Sequence, residues 1–196
     1  MTEQNTQDGL SAILQQIKGQ KHPPVHLWNP EFCGDLDMRI ARDGTWFYLG
    51  SPIGRKPLVK LFSGVIRLDE DDKYYLVTPV EKIGITVDDA PFVAVEMFRE
   101  GYGPDQILSF RTNVDDFVIL DREHPFRIEI DPETSEPAPY IRIRANLDAL
   151  IARAVFYDLV NLAEENMMDG KNVLGFWSSG EFFELGPVDE IYENYN

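Results

Sequence analysis

The stretch Leu36–Arg67, LDMRIARDGTWFYLGSPIGRKPLVKLFSGVIR, changes its hydrophobic period halfway along. LDMRI and TWFYLG read as two short strands separated by ARDG, where Asp43-Gly44 is a hairpin signal. Pro57 then opens a helix at a position where its missing N–H does no harm. Leu58, Leu61, Phe62, Val65 and Ile66 fall on one face of that helix, which is expected to run to about Arg67. At about 100° per residue, Lys56, Lys60 and Arg67 fall on the opposite face.

Outward from this stretch the same alternation of elements continues. Upstream, Leu10, Ile13, Leu14 and Ile17 have the spacing of a short amphipathic helix, ended by Gly19 and Pro23-Pro24. Downstream, DEDDK (69–73) breaks the helix, and KYYLVTP and EKIGITV read as strands. Val87–Pro91 reads as a boundary. Beyond it FVAVEMFR, QILSFRT, DFVILD, FRIEI and APYIRIR are strands punctuated by Gly, Pro, Asn and Asp, the spacing of an antiparallel meander. Leu147, Leu150, Ile151, Ala154, Val155, Leu159 and Leu162 form a helical stripe with Asn146 as its N-cap, predicting a second helix from Leu147 to about Glu164. VLGFWSSGEFFELG reads as a hairpin turning at Ser178-Ser179-Gly180.

The expected class is therefore α+β, with mainly antiparallel sheets and two principal helices. Its segments are an N-terminal helix and linker (1–22), an N-terminal α+β domain (23–88) and a C-terminal domain (89–190). A weak echo runs between MRI…RKPLVKLFSGVIR…YYLVTP and YIRIR…LDALIARAVFYDLV…EFFELGP, the pattern of a duplicated strand–helix–strand core. Two chance units of that kind explain it equally well.

Charge sets the function classes. The 196 residues carry 34 Asp and Glu against 18 Lys and Arg, a formal net charge of −16. Such a balance argues against a nucleic-acid polymer or an anionic membrane as partner, because either needs a net basic face. The exception is the stretch Arg39–Arg67, where Arg39, Arg42, Arg55, Lys56, Lys60 and Arg67 meet a single acid, Asp43. Cys33 is the sole cysteine, so no internal disulfide forms and no oxidising compartment is implied. No apolar run reaches the ~20 residues that cross a bilayer, and the N-terminus lacks the basic and apolar regions of a signal peptide, so a cytoplasmic location is expected.

Catalytic constellations are scarce. His22, His26 and His124 have no metal-ligand spacing to one another or to Cys33, and neither a P-loop, a GxSxG elbow nor a GxGxxG run is present. Asp35 and Asp37 share one face of a strand, the arrangement of either a Mg²⁺ pair or a solvated edge. DEDDK lacks EF-hand spacing. No cofactor or metal is expected. The basic stretch offers more: SPIGRKP leads into a helix N-terminus, which favours a phosphate or carboxylate. There Arg55 supplies a guanidinium fork and Lys56 and Lys60 supply point charges. The alternative is that these cations pair with the surplus acids. Trp46, Tyr48, Tyr140, Phe176 and Trp177 are of a type that stacks a base or fills a core.

PVHLWNPEFCGDLDMRIARDGTWFYLGSPIGRKPLVKLFSGVIR, followed by YYLVTPVEKIGITVDDAPFVAV and HPFRIEID, resembles the proteobacterial domain of unknown function 1285 family, from about Pro24 to Pro187. Matching motif residues are Asp37, Arg39, Asp43, Trp46, Arg55, Arg67, Thr78, Glu81 and Lys82. The resemblance implies a two-part α+β architecture with a duplicated core and a C-terminal part like a pleckstrin-homology fold. It also implies a nucleotide-like ligand between the parts and a role in signal transduction, with no catalytic residues to carry over.

Three functions stay open. The first is a cytoplasmic regulatory module that binds a small phosphorylated ligand. Its expected site is Arg39, Trp46, Arg55, Lys56, Lys60, Thr78, Glu81 and Lys82, approached by Tyr140 and Arg142 of the second part. The second is an enzyme on such a ligand, with Asp35, Asp37 or Glu81 helping a metal. The third is a protein-interaction module without a small ligand, docking a basic partner on an acidic surface that includes Glu181, Glu184, Asp189, Glu190 and Glu193.

Overall fold

A computed structural model describes residues 22–130 and 136–188. The chain forms two compact units, Met1–Pro91 and Phe92–Asn196. The helix expected over Leu10–Ile17 and the acidic tail beyond Val188 lie outside the described residues.

In the first unit, alternation decides the central strand. Leu36, Met38 and Ile40 of β1 (Phe32–Ile40) are buried while Asp35, Asp37 and Arg39 face outward. The Asp43-Gly44 turn, with the Thr45 N–H donating to Asp43 Oδ1 at 2.9 Å, folds β2 (Trp46–Tyr48) back antiparallel to β1. β3 (Ser51–Pro52) follows β2 at the edge. Helix α1 (Lys56–Ser63) stops short of Arg67. The physical reason is local: Val65 and Ile66 are β-branched, and the Val77 N–H takes the Val65 carbonyl at 3.0 Å, so this end joins the sheet. β4 (Ile66–Leu68), β5 (Tyr74–Val77) and β6 (Lys82–Val87) complete six strands in the order β3-β2-β1-β6-β5-β4, with β6 parallel to β1 and the other pairs antiparallel. Trp46 and Phe62 stack at 6.2 Å between ring centres, both fully buried, and join α1 to the sheet.

The second unit has β7 (Phe92–Glu100), β8 (Ile107–Thr112), β9 (Phe117–Ile119), β10 (Phe126–Ile130), β11 (Pro137–Arg144) and β12 (Leu147–Ile151) in the order β10-β11-β12-β7-β8-β9. It is not a simple meander, because β12 returns to lie parallel to β7. Then come α2 (Arg153–Val160) and a three-stranded sheet of β13 (Glu164–Met168), β14 (Lys171–Ser178) and β15 (Glu181–Pro187), the last two joined by the Ser179-Gly180 turn.

The helix expected from Leu147 is corrected by this structure. Leu147, Ala149 and Ile151 are buried alternately as β12, held on one side by β11 and on the other by β7. The residues satisfy both periods, and pairing on both edges decides for the strand. Asn146 belongs to the β11–β12 turn, and the N-cap of α2 is Ala152. β13, too, replaces the expected helix end at Glu164.

Duplication is visible in the sheets. Counting strands from β7, the second unit reads 3-2-1-6-5-4 as the first does, and all five neighbour pairings agree in sense. The repeat therefore matches β1 with β7, and not the MRI strand with YIRIR. The helices do not take part: α1 lies between the third and fourth strands of its unit, α2 after the sixth. No helix among the described residues is long and apolar enough to cross a membrane.

Candidate functional site

The cations of the basic stretch divide into two sets. At the end of β4, the Asp69 carboxylate accepts both ends of the Arg67 guanidinium fork, Nε at 2.5 Å and Nη2 at 3.0 Å, and Lys82 Nζ at 2.5 Å. Arg67 Nη1 also donates to the carbonyls of Val25 (3.0 Å) and Trp28 (2.6 Å), pinning the entering chain to the sheet. Lys82 Nζ lies 3.9 Å from the centre of the Tyr75 ring, whose hydroxyl donates to Asp71 Oδ2 at 2.6 Å and which stands nearly perpendicular to the Phe32 ring. Arg39 faces Asp88 (3.5 Å) and Phe47, and Arg42 faces Asp89 (3.0 Å). These cations are committed to carboxylates.

Arg55 and Lys56 form the other set. Both side chains are exposed at the start of α1, with no carboxylate partner among the described residues. The backbone beneath them is fixed: the Leu49 N–H donates to Asp37 O, the Ile53 N–H to Trp46 O, and the Arg55 carbonyl accepts from Leu58 and Val59. That last contact also limits the helix terminus as an anion donor. Pro57 has no N–H, and those of Leu58 and Val59 are already used, so of the first helical residues Lys56 alone keeps an N–H for an anion and the side chains do most of the binding. Lys60 lies exposed one turn along the same helix.

The other expected site residues serve the fold. Thr78 is fully buried, its Oγ1 accepting the Glu81 and Val80 N–H groups in the turn between β5 and β6. Glu81 is half-buried beside it, and its Oε2 is buried without a donor among the described residues. Trp46 is in the core, and its indole N–H has no acceptor among the described residues. Tyr140, in the second unit, is buried on β11 with the Arg127 guanidinium 4.3 Å from its ring centre. Arg142 is held by Asp148 and the Ala145 carbonyl. Neither Trp46 nor Tyr140 offers an open ring to a base. Asp35 lies across Gly84, where an added Cβ would come within 2.1 Å of its Oδ1, while Asp37 faces outward on the same strand.

The sequence pattern gives Asp69 no role beyond the DEDDK segment that ends the expected helix. One signal was available: Arg67 and Asp69 are two apart in an extended segment, hence on one side of it. Burial pushes the Asp69 carboxyl up, but the hydrogen bonds and charges of Arg67 and Lys82 outweigh it and hold the pKa below the ordinary 3.8. Tyr75 is pushed up to about 12, chiefly by its hydrogen bond to Asp71, then by burial and the charges of Asp71, Asp69 and Asp35. A carboxylate whose pKa is lower folded than unfolded gives its full contribution above the unfolded value of about 3.9, and loses it as pH falls through the folded value. Asp69→Asn is therefore expected to lower stability at pH 7 by about 2 kcal/mol. Thermal melts from pH 7 to pH 2 should show the gap between the two proteins closing below about pH 4. A gap that stays constant with pH would refute the assignment.

The chain matches two family models: the N-terminal domain of unknown function DUF1285 over residues 23–90, and the C-terminal domain of the DUF1285 proteins of unknown function over residues 91–185. A solved DUF1285 family protein from Silicibacter pomeroyi DSS-3 is 53% identical, with a TM-score of 0.86 over 94% of this chain and 98% of that one. A second, from Shewanella baltica OS155, is 26% identical, with a TM-score of 0.50 over 64% of this chain and 91% of that one. No curated protein matches. Two adjoining domain models that account for both units, and a 53%-identical relative of the same architecture, make this chain a member of the DUF1285 family.

Proposed function

We propose that this chain is a cytoplasmic regulatory module that acts by binding a small phosphorylated, nucleotide-like anion, with Arg55 and Lys56 as its anchors. The observation that carries the reading is the sorting of cations. In a chain of net charge −16, Arg39, Arg42, Arg67 and Lys82 each have a carboxylate partner, whereas the adjacent Arg55 and Lys56 stand exposed without one among the described residues. Two neighbouring cations without a carboxylate partner among the described residues, on a backbone fixed by four hydrogen bonds, can hold a phosphate by a guanidinium fork and a point charge. The burial of Trp46 and Tyr140 narrows the ligand: its phosphate end is recognised here, and no aromatic wall for a base is formed by those two rings. A free, exposed Cys33 agrees with a reducing compartment.

Thermal shift and calorimetry with inorganic phosphate, pyrophosphate and the ribonucleoside mono- and triphosphates test the proposal. At least one is expected to raise the melting midpoint, since a ligand at 100 times its Kd adds about 2.7 kcal/mol of stability. Arg55→Ala with Lys56→Ala should weaken that ligand about tenfold or more while leaving the unliganded melt unchanged. Absence of any shift, or binding that survives the double substitution, would overturn it.

A further inference from the structure

The second unit carries an apolar surface on the outward face of its sheet. In β7, β8 and β9, alternate side chains enter the core, as Leu108, Phe110 and Val118 do, and the others point away. Among those pointing away, Phe98 (45% exposed), Phe117 (60%), Ile119 (46%) and Ile107 (38%) lie on adjoining strands. Register brings them together: Phe98 and Ile119 both flank Ser109, and the rings of Phe98 and Phe117 are in contact, 6.1 Å between centres. Single exposed hydrophobic residues are ordinary, whereas a contiguous group with a polar rim marks an interaction site.

The rim has a sign. Arg111 is held between Glu96 (2.6 Å) and Asp115 (2.5 Å), and at the other end Glu100 lies beside Ile107, so the face carries three acids against one cation. A second copy of the chain would bring another −16 charge against this rim. A partner of opposite sign meets no such repulsion. Size selects the kind of segment. Three strands at about 4.8 Å spacing present a width near 10 Å, the diameter of one helix. The free edge of β9 is only three residues long, too short to pair with an added strand.

We infer that this face docks the apolar stripe of one basic amphipathic helix from a partner protein, whose Lys and Arg flank the stripe and meet Glu96, Glu100 and Asp115. The inference stands apart from the anion reading, because it uses only residues of the second unit.

Fluorescence anisotropy with two labelled 18-residue amphipathic helical peptides, one of Leu and Lys and the other of Leu and Glu, tests it. The native chain should bind the Leu/Lys peptide and not the Leu/Glu peptide. Phe98→Ser with Phe117→Ser should weaken binding at least tenfold with an unchanged melt. Glu96→Gln with Glu100→Gln should weaken it several-fold and flatten its salt dependence. Val80→Ser, an exposed apolar position of the first unit, should change nothing. If the double Phe variant melts early, Phe117→Ser alone, on the edge strand, serves in its place. Binding that ignores the Phe substitutions, equal binding of both peptides, or a native dimer that Phe117→Ser converts to monomer would each overturn the inference.

Discussion

Asp116→Ala is expected to lower the stability of the second unit by about 3–5 kcal/mol, the usual cost of removing one partner of a buried ion pair. Asp116 is buried in the turn between β8 and β9, and its Oδ2 accepts from Arg144 Nη1 at 2.8 Å. The Arg144 guanidinium lies 4.8 Å from the centre of the Phe92 ring, so the pair ties the end of β11, the start of β7 and the β8–β9 turn together. Burial draws the Arg144 pKa down, and the charge and hydrogen bond of Asp116 oppose it. Without the carboxylate, a mostly buried guanidinium loses this ion pair. The turn itself survives, since the Thr112 N–H still reaches the Asp116 carbonyl at 2.8 Å. Melts followed by circular dichroism should fall by roughly 10 °C, at about 2–4 °C per kcal/mol for a chain of this size. Asp116→Leu combined with Arg144→Met should lose less than either single change, because both charges of the pair are removed together. A drop of only a degree or two in Asp116→Ala would show that water already screens the pair.

The other large effect belongs to Gly175→Ala. A Cβ at Gly175 would meet the Phe183 carbonyl oxygen at 2.3 Å and the Phe182 ring at 2.6 and 2.7 Å. Gly175 lies where the register between β14 and β15 shifts, so the two backbones approach too closely for a side chain. The carbonyl cannot retreat without breaking the ladder. A loss of about 3 kcal/mol is expected, the upper range for overpacking. The near-ultraviolet signal should change with it, because Trp177 packs on Phe182 at 5.3 Å in the same hairpin. Gly84 makes the instructive contrast. Its added Cβ would come closer still, 2.1 Å, but to the carboxylate of exposed Asp35, which can turn into solvent. The shorter contact is thus the cheaper one. A Gly175→Ala protein as stable as the native chain, with its tryptophan signal intact, would refute the packing argument.

Local signals carried the first unit well. Alternation in Leu36–Ile40, the Asp43-Gly44 turn and Pro57 at the helix start each point to what forms there, because each acts within a few residues. Leu147–Ile151 failed for the opposite reason: its side chains fit either period, and the choice was made by β7 and β11, distant in sequence. The site divides in the same way. The exposed pair Arg55 and Lys56 was visible as charge, but the burial of Trp46 and Tyr140 was not, since an aromatic residue in a strand faces whichever side its neighbours set. The partners of Lys82 and Arg67 depend on Asp69, brought into place by the β4–β5–β6 ladder.

The return of each sixth strand to the side of the first also bears on how the protein is made. β6 and β12 occupy the middle of their sheets, between strands synthesised earlier. Until Val87 leaves the ribosome, β1–β2–β3 and β4–β5 can exist only as separate ribbons with unpaired inner edges, and the same holds in the second unit until Ile151 emerges. The two-stranded pieces, β4–β5 and β10–β11, are marginal on their own. Each unit therefore closes late and all at once, by joining its most distant strands, and that contact order makes folding slow. Translation leaves the first unit free to close while the second is still being strung out, so the two identical sheet orders need not compete for each other's central strand.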